Sequence, residues 1–225
     1  MPVSFVDLSW PLSPDTRPWP GDPYFEREQL PLSETAWFAV SRISMGSHTG
    51  THVDAPKHAF PEKGASIDAM PPECFYGPAA ILRIPCLPAM EIGINDLIPF
   101  EKTIASTPRI IIATGWSALF GTERYFVDPP SLTPEAAKYL AEKKIVLLGV
   151  DTPSPSMERL RETHEILLGA EIAILENLTN LRDCPDSFTL SAFPLPIAGC
   201  DASPVRAIAV VDSEQEKEPA ETPKS

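Results

Sequence analysis

Residues 48–58 read His-Thr-Gly-Thr-His-Val-Asp-Ala-Pro-Lys-His, and this stretch is the most informative part of the sequence for both structure and function. It contains three of the chain's four histidines, with Asp54 between the last two of them. Positions 48, 52, 54 and 58 share one parity, so an extended segment would project all four side chains to one face. Gly50, the threonines beside it and Pro56 disfavour a helix. We therefore predict an extended segment that ends at Pro56, where the chain turns His58 back.

The side chains of this stretch are those that bind hydrolytic metals. Imidazole and carboxylate groups are the usual ligands of zinc or manganese in such sites, which makes His48, His52 and Asp54 candidate ligands. The alternative is a polar loop in which the histidines make ordinary hydrogen bonds. The density of ligand groups at this spacing favours the metal site.

The fourth histidine, His164, lies far along the chain. It falls in a predicted helix over about 157–168 that stops before Gly169, and a predicted strand over 172–175 then leads to Glu176. A helix followed by such a strand could bring His164 and Glu176 together at one end. From the residues alone, a surface histidine and a strand-end glutamate are the simpler interpretation. Other acidic residues compete as ligands: Glu162, Glu165 and Glu171.

The rest of the chain predicts an α/β protein with one large domain over residues 1–212. Short apolar or alternating runs indicate strands at the N-terminus from Val3 and at 36–45, 78–84, 109–114, 145–150, 191–197 and 205–211. A helix over 133–144 is indicated by Thr133 as N-cap and Pro134 at the first helical position. Residues 213–225 are charged and lack apolar anchors, so we expect a disordered tail.

Composition and charge exclude several classes of function. The 225 residues are 43% apolar, and the net charge of −13 argues against nucleic acid and against an anionic membrane surface as partners. No apolar run approaches the roughly 18–20 residues of a spanning helix, and the N-terminus lacks the basic region of a signal peptide. The four cysteines are widely separated, which favours free thiols in a cytoplasmic protein.

The 48–58 stretch resembles the HxGTHxDxPxH signature of the cyclase-like metal-dependent hydrolases, and within them the kynurenine formamidases, or arylformamidases. The likeness covers about residues 3–211. Its supporting segments are 12–22 (LSPDTRPWPGD), 114–116 (TGW), 149–154 (GVDTPS), His164 with 167–168 (LL), 175–178 (LENL) and 195–207 (LPIAGCDASPVRA). The chain departs from the family pattern at Pro155-Ser156, where an apolar residue and an Asp are common. This departure leaves the candidate ligands intact.

The resemblance implies a swivelling β/β/α fold and two divalent ions per chain, zinc being expected and manganese possible in its place. It implies that His48, His52 and Asp54 hold one ion, and that Asp54 bridges to a second ion completed by His164 and Glu176. His58 would then donate and accept protons, and Trp19 would line the substrate pocket. The family also implies a homodimer or higher homo-oligomer.

The activity implied is hydrolysis of the formyl amide of N-formyl-L-kynurenine to L-kynurenine and formate, so the small-molecule partner would be an aryl amide substrate. An alternative within the family is hydrolysis of another amide such as isatin, because ligands report the reaction and not the leaving group. A metal-binding protein without catalysis would not need His58, and a plain interaction module would not need the ligands. Two further features stay open: Asp201 could pair with Arg206 or contact substrate, and Trp116 could line the pocket or the core.

Overall fold

A nine-stranded mixed sheet forms the frame of the molecule in the computed structural model, which describes residues 3–212. The strands are Val3–Asp7 (β1), Glu26–Gln29 (β2), Ser41–Ser44 (β3), His52–Asp54 (β4), Tyr76–Arg83 (β5), Glu91–Ile92 (β6), Arg109–Ala113 (β7), Ser131–Leu132 (β8), Leu147–Val150 (β9), Ala173–Glu176 (β10), Ser187–Ser191 (β11), Ala202–Pro204 (β12) and Ile208–Asp212 (β13). The main sheet has the order β1-β13-β11-β5-β7-β9-β10-β4-β12. Its centre, β5-β7-β9-β10, is parallel, and both ends are antiparallel.

Helices pack against this sheet. The α-helices are Pro56–Ala59 (α1), Ile94–Leu97 (α2), Glu101–Ser106 (α3), Pro134–Glu142 (α4) and Leu160–Gly169 (α5). Short 3-10 helices lie at Ile67–Ala69, Pro72–Phe75, Ile98–Phe100, Trp116–Leu119, Glu123–Phe126 and Leu181–Asp183. Helix α4 begins as predicted, because the Thr133 side chain accepts a hydrogen bond from the Ala136 N–H and Pro134 occupies the first turn. Over residues 3–212, none of these helices has the length and apolar character needed to cross a membrane.

The core has two parts on opposite faces of the central strands. In β5, Ile81 belongs to one buried cluster and Leu82 to the other, as expected for side chains that alternate along a strand. One cluster packs under α4 and α5. The other joins the central strands to β11 and β13, because the sheet curls around it. The predicted single-domain α/β fold is therefore confirmed, and the predicted tail at 213–225 lies outside the described residues.

Several element bounds differ from those predicted. The strand predicted over 36–45 is only β3, and it pairs with β2 in an exposed hairpin. The strand predicted over 191–197 is wrong, because β11 precedes it and ends at Ser191, and α5 begins at Leu160 instead of near Met157. The ligand stretch is extended only over β4, since residues 48–51 form a turn and Pro56 begins α1.

The sheet ends beside the ligand stretch. Strand β12 is only three residues long and pairs with β4, so that Pro204 lies opposite His52. Beyond it, Pro194 forms a single bridge with Val205, and the Leu195 N–H donates to Ser203 Oγ over 3.0 Å. Strand β4 is therefore enclosed between β10 and this short, partly covered edge.

Candidate metal centre and active site

Two neighbouring strands place three of the candidate ligands. Strand β4 supplies His52 and Asp54, and β10 supplies Glu176 at its carboxyl end. The strands are antiparallel, and their register sets Glu176 directly opposite His52. All three side chains are buried. The shared parity of positions 52 and 54 thus places both on the face where Glu176 lies.

A turn before β4 brings in His48. Gly50 has φ +65°, and a Cβ on it would lie 2.7 Å from Leu12 Cδ2, so this turn favours glycine on both counts. Thr51 Oγ1 fixes the next residue by donating to the Asn177 carbonyl over 2.8 Å. Because of this turn, the His48 side chain lies close to Asp54, although His48 itself is outside strand β4.

Helix α5 supplies His164. The buried residues of this helix are Thr163, His164, Leu167 and Leu168, two pairs at the i, i+4 spacing of one helical face. His164 Nε2 lies 3.6 Å from Glu176 Oε1 and 3.7 Å from Asp54 Oδ2. Helix α5 and strand β10 bring His164 and Glu176 together, as the resemblance implied and against the simpler interpretation from the residues alone.

The facing atoms of this cluster lie close together. His48 Nδ1 is 2.8 Å from Asp54 Oδ1, and His52 Nε2 is 3.3 Å from both Asp54 Oδ1 and Glu176 Oε2. Within residues 3–212, His52 Nε2, both Asp54 carboxylate oxygens and Glu176 Oε1 are buried atoms with no hydrogen-bond partner. Buried polar atoms are normally satisfied, and lone pairs that face a common point suit a bound cation. The residues present therefore fit a divalent metal.

The ring nitrogens that face away from the cluster support the same conclusion. His52 Nδ1 donates to the Gly50 carbonyl over 2.9 Å, and His164 Nδ1 donates to the Leu160 carbonyl over 2.7 Å. His48 Nε2 lies 2.9 Å from Asp201 Oδ2. Each bond occupies the outer ring nitrogen, so that the inner nitrogen, once deprotonated, can offer its lone pair to a metal among the carboxylates. Metal-binding histidines are held in this way by a carbonyl or carboxylate.

The charges of the cluster are strongly coupled. Burial alone would lower the pKa of each histidine, but the neighbouring carboxylates outweigh burial. Asp54 and Asp201 raise the pKa of His48 to about 11, and Asp54 and Glu176 raise those of His52 and His164 to about 9 and about 10. Burial opposes ionisation of Asp54, yet the histidines lower its pKa well below the ordinary value. The carboxylates therefore hold these histidines in the cationic form, and a bound metal cation would take the place of their protons between the same groups.

Among the residues that the structure describes, two groups of three offer ligand atoms close enough to share one ion. One group is His52, Asp54 and Glu176, and the other is His48, Asp54 and His58. Asp54 belongs to both, as expected for a residue that bridges two ions. The groups differ from the predicted sets, since Glu176 joins His52 and since His58 lies near enough to be a ligand itself. His164 is outside both groups but touches Asp54 and Glu176.

His58 lies on α1 at the edge of the cluster. Pro56 begins this helix, and the following loop folds back so closely that a Cβ on Gly64 would lie 2.5 Å from the Pro56 carbonyl. His58 Nδ1 lies 3.4 Å from Asp201 Oδ2, and its ring is 4.3 Å from that of His48. His58 is exposed to solvent, unlike His52 and His164. It is the histidine of the cluster most open to a reactant.

A cavity of about 590 Å³ opens above these residues. The cluster forms part of its lining, and Trp19, Phe120 and Phe126 provide aromatic walls. Trp19 meets Phe126 edge to face, with ring centroids 6.0 Å apart. Trp116 is instead buried in the core, where its indole N–H donates to the Tyr125 carbonyl. The aromatic lining suits a planar aryl group.

Sequence reasoning missed Asn177 at the site and left Asp201 open between a pair with Arg206 and a contact with substrate. Asp201 does not pair with Arg206, which instead bonds Asp7 over 2.9 Å. Asn177 has φ +59° and donates from Nδ2 to the Gly50 carbonyl, and it accepts from the Tyr125 hydroxyl. The position of Asn177 directly after Glu176 was the available signal. For Asp201 the local sequence favoured the wrong partner.

Comparisons with known proteins show which family the chain is similar to. The family model described as "Putative cyclase" matches residues 6–156. Kynurenine formamidase of Bacillus cereus is 34% identical over 208 residues, which cover 91% of this chain and 96% of the relative. Kynurenine formamidase of Geobacillus thermodenitrificans is 32% identical, with 90% and 95% covered.

Solved structures give the same fold. Isatin hydrolase A from Labrenzia aggregata has a TM-score of 0.82 at 27% identity, covering 93% of this chain and 94% of that one. A protein described as a predicted metal-dependent hydrolase, from Bacillus stearothermophilus, has a TM-score of 0.77 at 25% identity, covering 93% and 99%. These matches extend over the sheet, the ligand stretch and α5, and the chain therefore belongs to the cyclase family of hydrolases.

Proposed function

We propose that this hydrolase cleaves the formyl amide of N-formyl-L-kynurenine to give L-kynurenine and formate. The observation that carries the proposal is the buried cluster of histidines and unsatisfied carboxylates at the floor of an aromatic cavity. Relatives named kynurenine formamidase, at 34% identity over most of the chain, support the choice of substrate. The substrate combines an aryl ring with a small formyl group, which matches aromatic walls above a polar floor.

The cluster would hold two divalent ions, with zinc as the proposed metal and manganese as the alternative. In this proposal His48, His52 and Asp54 hold one ion, while Asp54, His164 and Glu176 hold the other. Bound ions would supply a water of lowered pKa and polarise the formyl carbonyl. The protein's part is to keep the ligand atoms facing one point, through the backbone and carboxylate bonds to the outer ring nitrogens.

His58 is the proposed proton carrier. Its Nδ1 is directed to Asp201, so Nε2 is the nitrogen that can receive the proton of the attacking water. The same nitrogen then delivers the proton to the departing aniline nitrogen as the C–N bond breaks.

Charged side chains at the cavity favour an amino-acid substrate. Arg17 and Asp22 line the same cavity as Trp19. Arg17 lies 3.7 Å from Glu123, a residue with 87% of its side chain exposed, so this ion pair is weak and leaves Arg17 available. The α-carboxylate and α-ammonium groups of N-formyl-L-kynurenine would meet Arg17 and Asp22. Isatin carries neither charge.

Hydrolysis of isatin is the second candidate function. It is favoured by the structural likeness to isatin hydrolase A of Labrenzia aggregata. The fused ring of isatin would also fit aromatic walls, and the same cluster would serve its ring amide. The charged residues Arg17 and Asp22 favour the first candidate over this one.

Turnover by metal-reconstituted protein tests the proposal. We expect the highest kcat/KM for N-formyl-L-kynurenine, a lower value for formanilide, which lacks the amino-acid end, and the lowest for isatin. A preference for isatin would replace the proposed substrate by the alternative. Absence of turnover of all three by protein with full metal content would contradict amide hydrolysis of this class.

The proposal extends to assembly and location. We propose a cytoplasmic homodimer or higher homo-oligomer, with the Pro-rich segment 14–23 at or near an interface. Sedimentation at micromolar concentration measures this directly. A mass near the 24.6 kDa of one chain would contradict the oligomer.

A further inference from the structure

Asp201 lies where the candidate ligands meet the candidate proton carrier. Its backbone is fixed beside β4, because the Ala55 N–H donates to the Asp201 carbonyl over 2.9 Å. Its side-chain Oδ2 lies 2.9 Å from His48 Nε2 and 3.4 Å from His58 Nδ1. Its Oδ1 accepts from the Ser47 hydroxyl over 3.0 Å. One carboxylate therefore contacts two histidines for which we propose different tasks.

We propose that Asp201 is a positioning residue that holds His48 ready for metal and His58 ready for proton transfer. This inference rests on the proposed function, because it concerns the same reaction. With Nε2 of His48 bonded to Asp201, Nδ1 keeps its lone pair toward Asp54. With Nδ1 of His58 bonded to the same oxygen, Nε2 faces the cavity. Loss of the carboxylate frees both rings to rotate and to change tautomer.

The environment of Asp201 separates this role from a structural one. About a third of its side chain, 36%, is exposed, and it lines the cavity instead of packing in the core. Arg206, the obvious structural partner, bonds Asp7. The Ser47 hydroxyl donates to Oδ1, the carboxylate oxygen that the histidines do not contact. Removal of the charge should therefore change the histidines more than the fold.

The test compares Asp201→Asn with wild-type protein in two measurements. Competition with a chelator gives the metal affinity, and we expect Asp201→Asn to lose about 10- to 100-fold, the usual cost of removing a partner behind a metal ligand. At saturating metal, kcat should fall while KM stays unchanged, because the substrate pocket is intact. Asp201→Glu should restore part of both, since it keeps the carboxylate. Asp7→Asn, which removes a carboxylate from the distant ion pair with Arg206, is the matched control and should leave both at wild-type values.

The outcomes are distinct. Wild-type metal affinity and kcat in Asp201→Asn would overturn the proposal, and so would a rise in KM as large as the fall in kcat. If Asp201→Asn does not fold, Ser47→Ala decides: a smaller loss in the same direction supports the role, and unchanged metal affinity overturns it. The affinity measurement needs no substrate. A wild-type protein that does not hydrolyse N-formyl-L-kynurenine would therefore refute the proposed function and still leave the role of Asp201 measurable.

Discussion

His52 and Glu176 lie directly opposite each other across β4 and β10, with His52 Nε2 3.3 Å from Glu176 Oε2. This pairing follows from the register of the two strands. A slip of one residue would turn Glu176 to the other face of the sheet and leave His52 without its partner. The register of the sheet therefore fixes the relative positions of these two candidate ligands.

Substitution of His58 separates proton transfer from metal binding. We expect His58→Ala to keep its metal and to lose about 10²- to 10⁴-fold in turnover, the usual cost of a lost general acid–base group. His52→Ala and Asp54→Ala should instead lose metal and activity together, because each removes atoms that face the ion directly. Elemental analysis and kcat measure the two effects. Metal-free His58→Ala protein would make His58 a ligand, in keeping with its place beside His48 and Asp54.

Substitution of Trp19 tests the aromatic wall. Trp19→Ala should raise KM for N-formyl-L-kynurenine by about 10-fold, since a ring contact contributes roughly 1.5 kcal/mol. Trp19→Phe should keep most of the affinity. Trp37→Ala is a matched control, because Trp37 lies outside the cavity and is 92% exposed. An unchanged KM in Trp19→Ala would remove Trp19 from the substrate site.

Arg17 should recognise only substrates with an amino-acid end. Arg17→Ala should raise KM for N-formyl-L-kynurenine about 5-fold, as expected for an exposed ion pair of roughly 1 kcal/mol. The KM for formanilide should not change, because formanilide has no carboxylate. Arg42→Ala, which breaks an ion pair with Glu28 outside the cavity, controls for lost surface charge. Equal effects on both substrates would show that Arg17 does not bind the carboxylate.

Removal of metal should lower thermal stability. An ion that binds only the folded chain at 100 times its Kd stabilises it by about 2.7 kcal/mol, so chelator-treated protein should have a lower Tm. Glu176→Gln should show a smaller difference between the two states, since it weakens one ligand without a change of shape. Calorimetry with and without added zinc measures the shift. Equal Tm values for wild-type protein in both conditions would contradict the metal centre.

Gly64 allows the loop after α1 to pack closely against the start of the helix that contains His58. Gly64→Ala places a Cβ 2.5 Å from Pro56 backbone atoms, which cannot move aside, so we expect a loss of about 1–3 kcal/mol in the free energy of unfolding. Turnover should fall as well, since α1 must shift. Gly93→Ala is the control, because its Cβ would meet nothing closer than 3.8 Å. Denaturant unfolding compares the two, and equal stabilities would show that the loop gives way easily.

The sequence was informative where local rules apply. The alternation rule correctly places His52 and Asp54 on one face, and the capping of α4 by Thr133 follows directly from residue types. The prediction from the sequence was incomplete at the places where strands from distant parts of the chain meet. The positive φ of Gly50 takes His48 out of the strand, and the contact of Glu176 with His52 depends on a register between segments more than a hundred residues apart. Local spacing does not contain that register.

The contacts of Asp201 also could not be predicted from its neighbours in the sequence. A nearby arginine made an Asp–Arg pair the natural interpretation of its segment. In the fold, Arg206 reaches back to Asp7 on β1, while Asp201 meets histidines from the opposite half of the chain. Proximity along the chain is a poor guide to charge pairing at the end of a curled sheet.

The short edge strand β12 bears on how copies of the protein behave at high concentration. A free sheet edge can recruit a strand from another molecule and begin aggregation. Pro204 has no N–H to offer such a strand, and the segment at Pro194 and Leu195 already lies against this edge. Extension of the sheet from β12 is therefore disfavoured, and the strand that carries His52 and Asp54 is protected from being drawn into an intermolecular β-structure.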